Sequence, residues 1–116
     1  MKVRLIHWEH GEGEKRANLL RSLHYDVDDE PIDNAELKLL VSKPPDILVI
    51  DLTRLPARGR DIGAFVHEHV RDLPIVFVGG KEWTVAGIKQ VIPDATFSEW
   101  ALIEPALSRI EGSGRE

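Results

Sequence analysis

Apolar residues along the chain fall into short continuous runs that alternate with longer stretches of helical periodicity. Residues 2–7 carry Val3, Leu5 and Ile6 in a run suited to a short buried strand, followed by Gly11 and Gly13. Over residues 14–23 the period changes: Ala17, Leu20 and Leu23 share a stripe while Lys15, Arg16 and Arg21 face elsewhere, which predicts an amphipathic helix. Residues 25–27 form a weaker strand, closed by the acidic stretch Asp28 to Glu30 and by Pro31. Asp33 or Asn34 is placed to cap a helix carrying Leu37, Leu40 and Val41, which Pro44 and Pro45 end because proline cannot continue the hydrogen-bond ladder. Ile47, Leu48, Val49 and Ile50 then form an unbroken apolar run, typical of a strand covered on both faces, and this is the expected centre of the sheet.

The second half repeats the alternation. After a loop with Pro56 and Gly59, the spacing predicts a helix over 61–71 with Ile62, Phe65, Val66 and His69 on one face. Pro74 opens another buried strand over 75–78, stopped by Gly79 and Gly80. A helix over 83–92, a short strand over 95–97 and a last helix over 101–110 follow, the last with Leu102, Ala106, Leu107 and Ile110 inward. Residues 112–116 read as a disordered tail behind one domain over 1–111. About five strands alternating with about five helices demand right-handed crossovers and a mostly parallel sheet clothed on both faces. The expected fold is therefore a three-layer, doubly wound α/β domain of flavodoxin-like strand order 2-1-3-4-5. In such a sheet ligands bind outside the carboxyl ends of the strands, where Trp8, Glu9, Asp51, Gly79, Gly80 and Ser98 would converge.

Composition narrows the classes. A chain of 116 residues fits one domain, and 42% hydrophobic with 30% charged residues describes a globular protein rather than a disordered one. The absence of cysteine excludes disulfides, thiolate metal sites and cysteine nucleophiles. A formal charge of -5 repels a polyanion, and only Arg54, Arg58 and Arg60 form a short basic run, so nucleic acid is not an expected partner. No signal-peptide pattern and no membrane-spanning apolar run is present, so the expected location is cytoplasmic and away from membranes.

The stretch Pro45, Asp46, Ile47, Leu48, Val49, Ile50, Asp51, Leu52 resembles the third strand of response-regulator receiver (CheY-like) domains, in which the apolar run ends in the phosphorylated aspartate. Asp51 is the phosphoacceptor-like residue. Leu55, Pro56 and Gly59 are similar to the loop that follows, with Pro56 one residue late, and Leu73 to Val78 resembles the fourth strand. The layout of nearly the whole chain agrees. Receivers also carry an acidic pair after the first strand to hold Mg²⁺, a Thr or Ser after the fourth strand, and a Lys followed by Pro after the fifth. At those positions stand His7 and Trp8 with Glu9 adjacent, then Gly79, then Phe97, Ser98, Glu99 and Trp100. Glu9 and Asp51 are the remaining candidates for a metal. Phosphoryl transfer rests on positioning and on neutralising the developing charge, so losing these helpers together removes most of the electrostatic stabilisation. The resemblance thus implies a non-enzymatic, atypical receiver-like signalling or interaction module without a cofactor, whose partner is another protein or a second copy. Trp83 and Trp100 lie at helix starts near the sheet edge that receivers use for docking, with Trp100 the candidate on the partner face; each indole also reads as core packing.

Other readings stay open at this stage. A working phosphoacceptor would give a Mg²⁺-dependent acyl phosphate on Asp51; alternatively the Asp51 carboxylate simply caps a turn. His10 and Gly13 form H-x-x-G after the first strand, and Val78, Gly79, Gly80 resemble the glycine pair of cobalamin-binding domains, in which such a histidine ligates cobalt. Trp8 stands where that family has its orienting acid, and the alternative is that His10 is an exposed loop residue. His67 and His69, two apart on a helix, point to different sides. His7, Glu9 and His10 lack a distant ligand to complete a metal site. No nucleotide-binding glycine pattern is present, and Gly79 and Gly80 are read as room for a strand-to-helix turn.

Overall fold

The two unbroken apolar runs become the middle of the sheet. In the computed structural model, which describes residues 1–113, strand β3 (Ile47–Asp51) and strand β4 (Ile75–Val78) are buried at every position. Around them the chain winds as β1 (Lys2–Ile6), α1 (His10–Ser22), β2 (Asp26–Asp28), α2 (Asn34–Ser42), β3, α3 (Pro56–His69), β4, α4 (Glu82–Val91), β5 (Thr96–Ser98), a 3₁₀ turn (Trp100–Leu102) and α5 (Ile103–Ser113). The sheet has the order β2-β1-β3-β4-β5 and every pairing is parallel. This is the doubly wound, flavodoxin-like architecture that the alternation predicts.

Because side chains alternate along a strand, the three inner strands feed two cores. Val3, Leu5, Val49 and Val76 pack with Ala17, Leu20 and Leu107 of α1 and α5. Ile6, Leu48, Ile50 and Phe77 pack with Ile62, Val66 and Ile88 of α3 and α4. The register sets Asp51 beside Val78 and Val78 beside Ser98, so the carboxyl ends of three strands open on one edge. Among the described residues no helix is long and apolar enough to cross a membrane.

Several boundaries differ from expectation, each for a local reason. Helix α1 starts at His10 rather than at residue 14, because the Glu9 carboxylate accepts from the Gly11 and Glu12 amides at 2.9 and 3.2 Å and caps the first turn. Gly13 is thus helical, and it has to lack a side chain: a Cβ there would lie 2.1 Å from His7 Nδ1. Helix α3 starts at Pro56, whose fixed φ suits the first helical position, so Gly59 lies within the helix and not in a loop. Asp33, accepting from the Glu36 amide at 2.8 Å, is the cap of α2. Strands β2 and β5 each sit one residue later than predicted. Leu102, expected inward, is 59% exposed; it belongs to the 3₁₀ turn, whose tighter winding rotates it off the face of α5. Gly112 and Ser113 continue α5 instead of forming a tail, and residues 114–116 of that expected tail lie outside the described residues.

Candidate functional site at the carboxyl edge of the sheet

Asp51 ends β3 and is buried. Its Oδ1 accepts two hydrogen bonds, from the Thr53 amide at 2.9 Å and from the Thr53 hydroxyl at 2.6 Å. A carboxylate closing on a donor two residues ahead forms an Asx-type turn, which fixes the loop leaving the strand. The Thr53 methyl group occupies the space beside Gly79, where a Cβ would meet it at 2.6 Å, and Gly79 has a φ of +78°. Glycine is therefore required at this position twice over: by backbone conformation and by the approach of Thr53. A hydroxyl does reach Asp51, but from its own turn. Sequence reasoning passed over Thr53, although the Asp-x-Thr spacing is a visible signal.

Trp8 lies along the same edge and donates its indole Nε1–H to the Asp51 carbonyl at 2.6 Å. The Arg58 guanidinium sits over the indole ring, 5.7 Å from its centroid. Glu9 faces α1: both of its carboxylate oxygens accept the capping amides, and Arg54 approaches one of them at 3.8 Å. Arg54 pairs more closely with Glu12, at 2.7 and 3.1 Å, and this hydrogen-bonded guanidinium holds the Glu12 carboxyl below the usual carboxylate range. The two expected metal candidates are thus engaged differently, Asp51 with Thr53 and Glu9 with the α1 amides. Among the described residues no group of three or more His, Asp or Glu side chains could hold a metal ion.

The remaining predicted positions divide between two clefts. Trp8, Glu9 and His10 line a cavity of about 230 Å³ together with His7, Ile32 and Arg58. Within it the His7 Nε2 lies 2.9 Å from the Asp29 carbonyl, while its Nδ1 is buried without a partner. His10 is exposed, but as the first residue of α1 and not in a loop. Gly80 and Ser98 line a different cleft of about 240 Å³ with Phe77, Phe97 and Leu102, and the Ser98 hydroxyl donates to the Glu99 carbonyl at 2.9 Å. His67 and His69 diverge: His67 lies 3.8 Å from Asp94, and His69 stacks on Phe65 at 4.3 Å.

Trp100 does not lie on an exposed partner face. Its indole is buried in the core beside α1, with Arg16 over the ring at 4.9 Å, because the 3₁₀ turn directs it under the sheet edge. The exposed indole is Trp83, 69% accessible on α4, with Val91 on the same helix and Leu102 on the 3₁₀ turn also exposed.

One further feature escaped the sequence. Arg4, in the middle of β1, is buried, and its guanidinium meets Asp28 at 2.9 Å, Glu36 at 3.3 Å and the Glu30 carbonyl. Beside it, under α2, lies a cavity of about 380 Å³ with Lys2, Asp26 and Lys43 on its walls.

No protein-family model matches the chain, and no curated protein matches it. Its fold is matched among solved structures. The signal receiver domain of a modulated diguanylate cyclase from Desulfovibrio desulfuricans G20 is 25% identical, with a TM-score of 0.66 over 97% of this chain and 90% of that one. A response regulator protein from Burkholderia pseudomallei, solved with a phosphorylated aspartic acid, a calcium ion and citrate, is 16% identical, with a TM-score of 0.68 over 84% of this chain. The chain has the receiver-domain fold. It spans 58% of the length of the Burkholderia protein. On this receiver fold Asp51 holds the end of the third strand, with an indole, a glycine and a serine on the neighbouring strand ends.

Proposed function

We propose that the protein is an atypical receiver module that signals through protein contacts and not through Mg²⁺-dependent phosphorylation of Asp51. The observation that carries this reading is the commitment of the Asp51 carboxylate to Thr53, with the Trp8 indole bonded to the Asp51 carbonyl. Thr53 holds Oδ1 in the turn, so a phosphoryl group would have to form on Oδ2, where Gly79 offers it no hydroxyl. The neighbouring strand ends carry no cation, and Arg54, which lies within electrostatic reach of Asp51, is paired with Glu12, so neutralisation of the developing charge, a term that dominates phosphoryl transfer, is weak. In this reading the module is not an enzyme, needs no resident cofactor and works in the cytoplasm. Its partner face is the one bearing Trp83, the exposed indole of α4, since an exposed large apolar group favours contact with another protein.

The test is tryptophan fluorescence during titration with Mg²⁺ and then beryllofluoride, a phosphoryl mimic, comparing the parent with Asp51→Ala. The expected result is the same flat response in both. A saturable change that requires Asp51 would restore a working phosphoacceptor and overturn the reading.

A further inference from the structure

We infer that the 230 Å³ cup between Trp8 and Arg58 is a binding site for a small planar organic anion, an aromatic carboxylate being the simplest chemistry that fits. The cup lies at the carboxyl edge of a doubly wound sheet, where this architecture presents its ligands. Its walls combine a flat ring with aliphatic surface: Trp8 on one side, Ile32 and Leu55 on the others. The indole cannot swing freely, because its Nε1–H is held by the Asp51 carbonyl at 2.6 Å, so its face is already oriented before a ligand arrives.

The one cation on the wall of the cup without an ion pair among the described residues is Arg58, which lies over the indole, so its guanidinium donors are available for a carboxylate. The single acid on the wall, Glu9, already accepts two helix amides and lies 3.8 Å from Arg54. His7 and His10 complete the polar wall. Volume limits the ligand: at about 230 Å³ the cup is smaller than the roughly 300–1,000 Å³ of drug-sized sites, which suits a single ring with one charged group.

The inference rests on a crevice that does not take Mg²⁺. That reading has its own test with beryllofluoride, so a silent beryllofluoride titration together with a failed benzoate titration counts against the anion site alone. The experiment here is an NMR titration of the full chain with benzoate, following the indole N–H resonances of Trp8, Trp83 and Trp100, with benzamide as the planar neutral control and acetate as the anion without a ring. Benzoate is expected to move the Trp8 resonance saturably, with a Kd on the order of 1 mM for so small a ligand, and to leave Trp83 unmoved. Benzamide and acetate should each bind about tenfold more weakly, and Arg58→Gln should weaken benzoate by about the same factor. Arg58 is exposed, so this variant keeps the fold and its unchanged spectrum elsewhere verifies that. Equal binding of benzamide and benzoate, parent-like binding by Arg58→Gln, or a Trp8 resonance that never moves would each overturn the inference.

Discussion

Helices α1 and α2 flank the same strand, β1, and are attached to it by opposite means. Helix α1 lays Ala17 and Leu20, both fully buried, into the apolar core formed with Val3 and Leu5. Helix α2 fully buries Leu40 alone and packs Leu37 partly against the core; at Glu36, Leu39 and Leu40 it borders a cavity, and it reaches the sheet through the Glu36 to Arg4 ion pair. The two faces of β1 explain this. Val3 and Leu5 point to the α1 side, whereas Lys2 and Arg4 point to the α2 side, where the paired residues of β2 are Asp26 and Asp28. Dispersion and burial do not depend on protonation, while an ion-paired corner depends on protonation and on screening by salt. One sheet thus carries a fixed helix and an electrostatically held one.

The sharpest way to break the α1 side is to remove a buried side chain. Leu20→Ala opens a hole in a fully buried position and should cost about 3–4 kcal/mol, read as a lower midpoint in urea denaturation. Leu39→Ala on α2, at a position 45% exposed, should change the midpoint little. Equal losses at the two positions would end the contrast.

The next effect is a pH dependence on the α1 side. Burial, reinforced by its hydrogen bond to Glu111 at 3.0 Å, pushes the Tyr25 hydroxyl up to about 12 from the usual 10. The folded state therefore favours the neutral phenol. Its contribution is fully present below pH 10 and is lost as the pH rises towards 12, amounting to something on the order of 2 kcal/mol. Tyr25 is the only tyrosine, so tyrosinate absorbance reports its titration directly, and Tyr25→Phe should flatten this part of the stability profile. A titration midpoint near that of free tyrosine would show that the phenol is not held.

These two regions also differ in how far the sequence foretold them. The runs at β3 and β4, their parallel order and the place of Asp51 at a strand end were all legible, because continuous burial leaves a continuous apolar signature. The starts of α1 and α3 were not: Gly11, Gly13, Pro56 and Gly59 look like breakers, yet the glutamate cap, the His7 ring and the first-turn proline make them helical. Trp100 and Leu102 exchanged their expected sides because a 3₁₀ turn does not follow the helical period. The Arg4 corner was illegible for a different reason. Its partner Glu36 is 32 residues away, and an arginine within an apolar run gives no sign of where its charge will be met. Even the cup beside Asp51 was visible only as a set of residues, not as a cavity.

A smaller effect is expected from Glu36→Gln, which keeps the shape of α2 but removes one carboxylate from Arg4. Asp28 and the Glu30 carbonyl still hold the guanidinium, so the loss should be about 1 kcal/mol. It should shrink further in high salt, because Glu36 is partly exposed and salt screens its pairing with Arg4. A loss that does not change with salt would mean that Glu36 acts through packing.

The smallest global effect, and the most telling, belongs to Arg4→Met. The thioether chain follows the aliphatic path of the arginine and keeps apolar contact with the sheet, while Asp28 and Glu36, both partly exposed, return to water. Removing one partner of a fully buried pair is costly, but Asp28 and Glu36 keep 58% and 26% exposure and rehydrate, so the denaturation midpoint should move by less than about 1 kcal/mol. The local effect runs the other way. With the guanidinium gone, nothing ties Asp28, the Glu30 carbonyl and Glu36 together across the 380 Å³ cavity, and only Leu40 and its apolar neighbours hold α2. Amide hydrogen exchange in α2 should therefore speed up while exchange in α1 stays at the parent rate, since local opening is governed by the contacts of that segment and not by the global free energy. Unchanged protection of α2 in this variant would mean that Leu40 suffices to seat the helix and that the two sides of β1 are held by the same force after all.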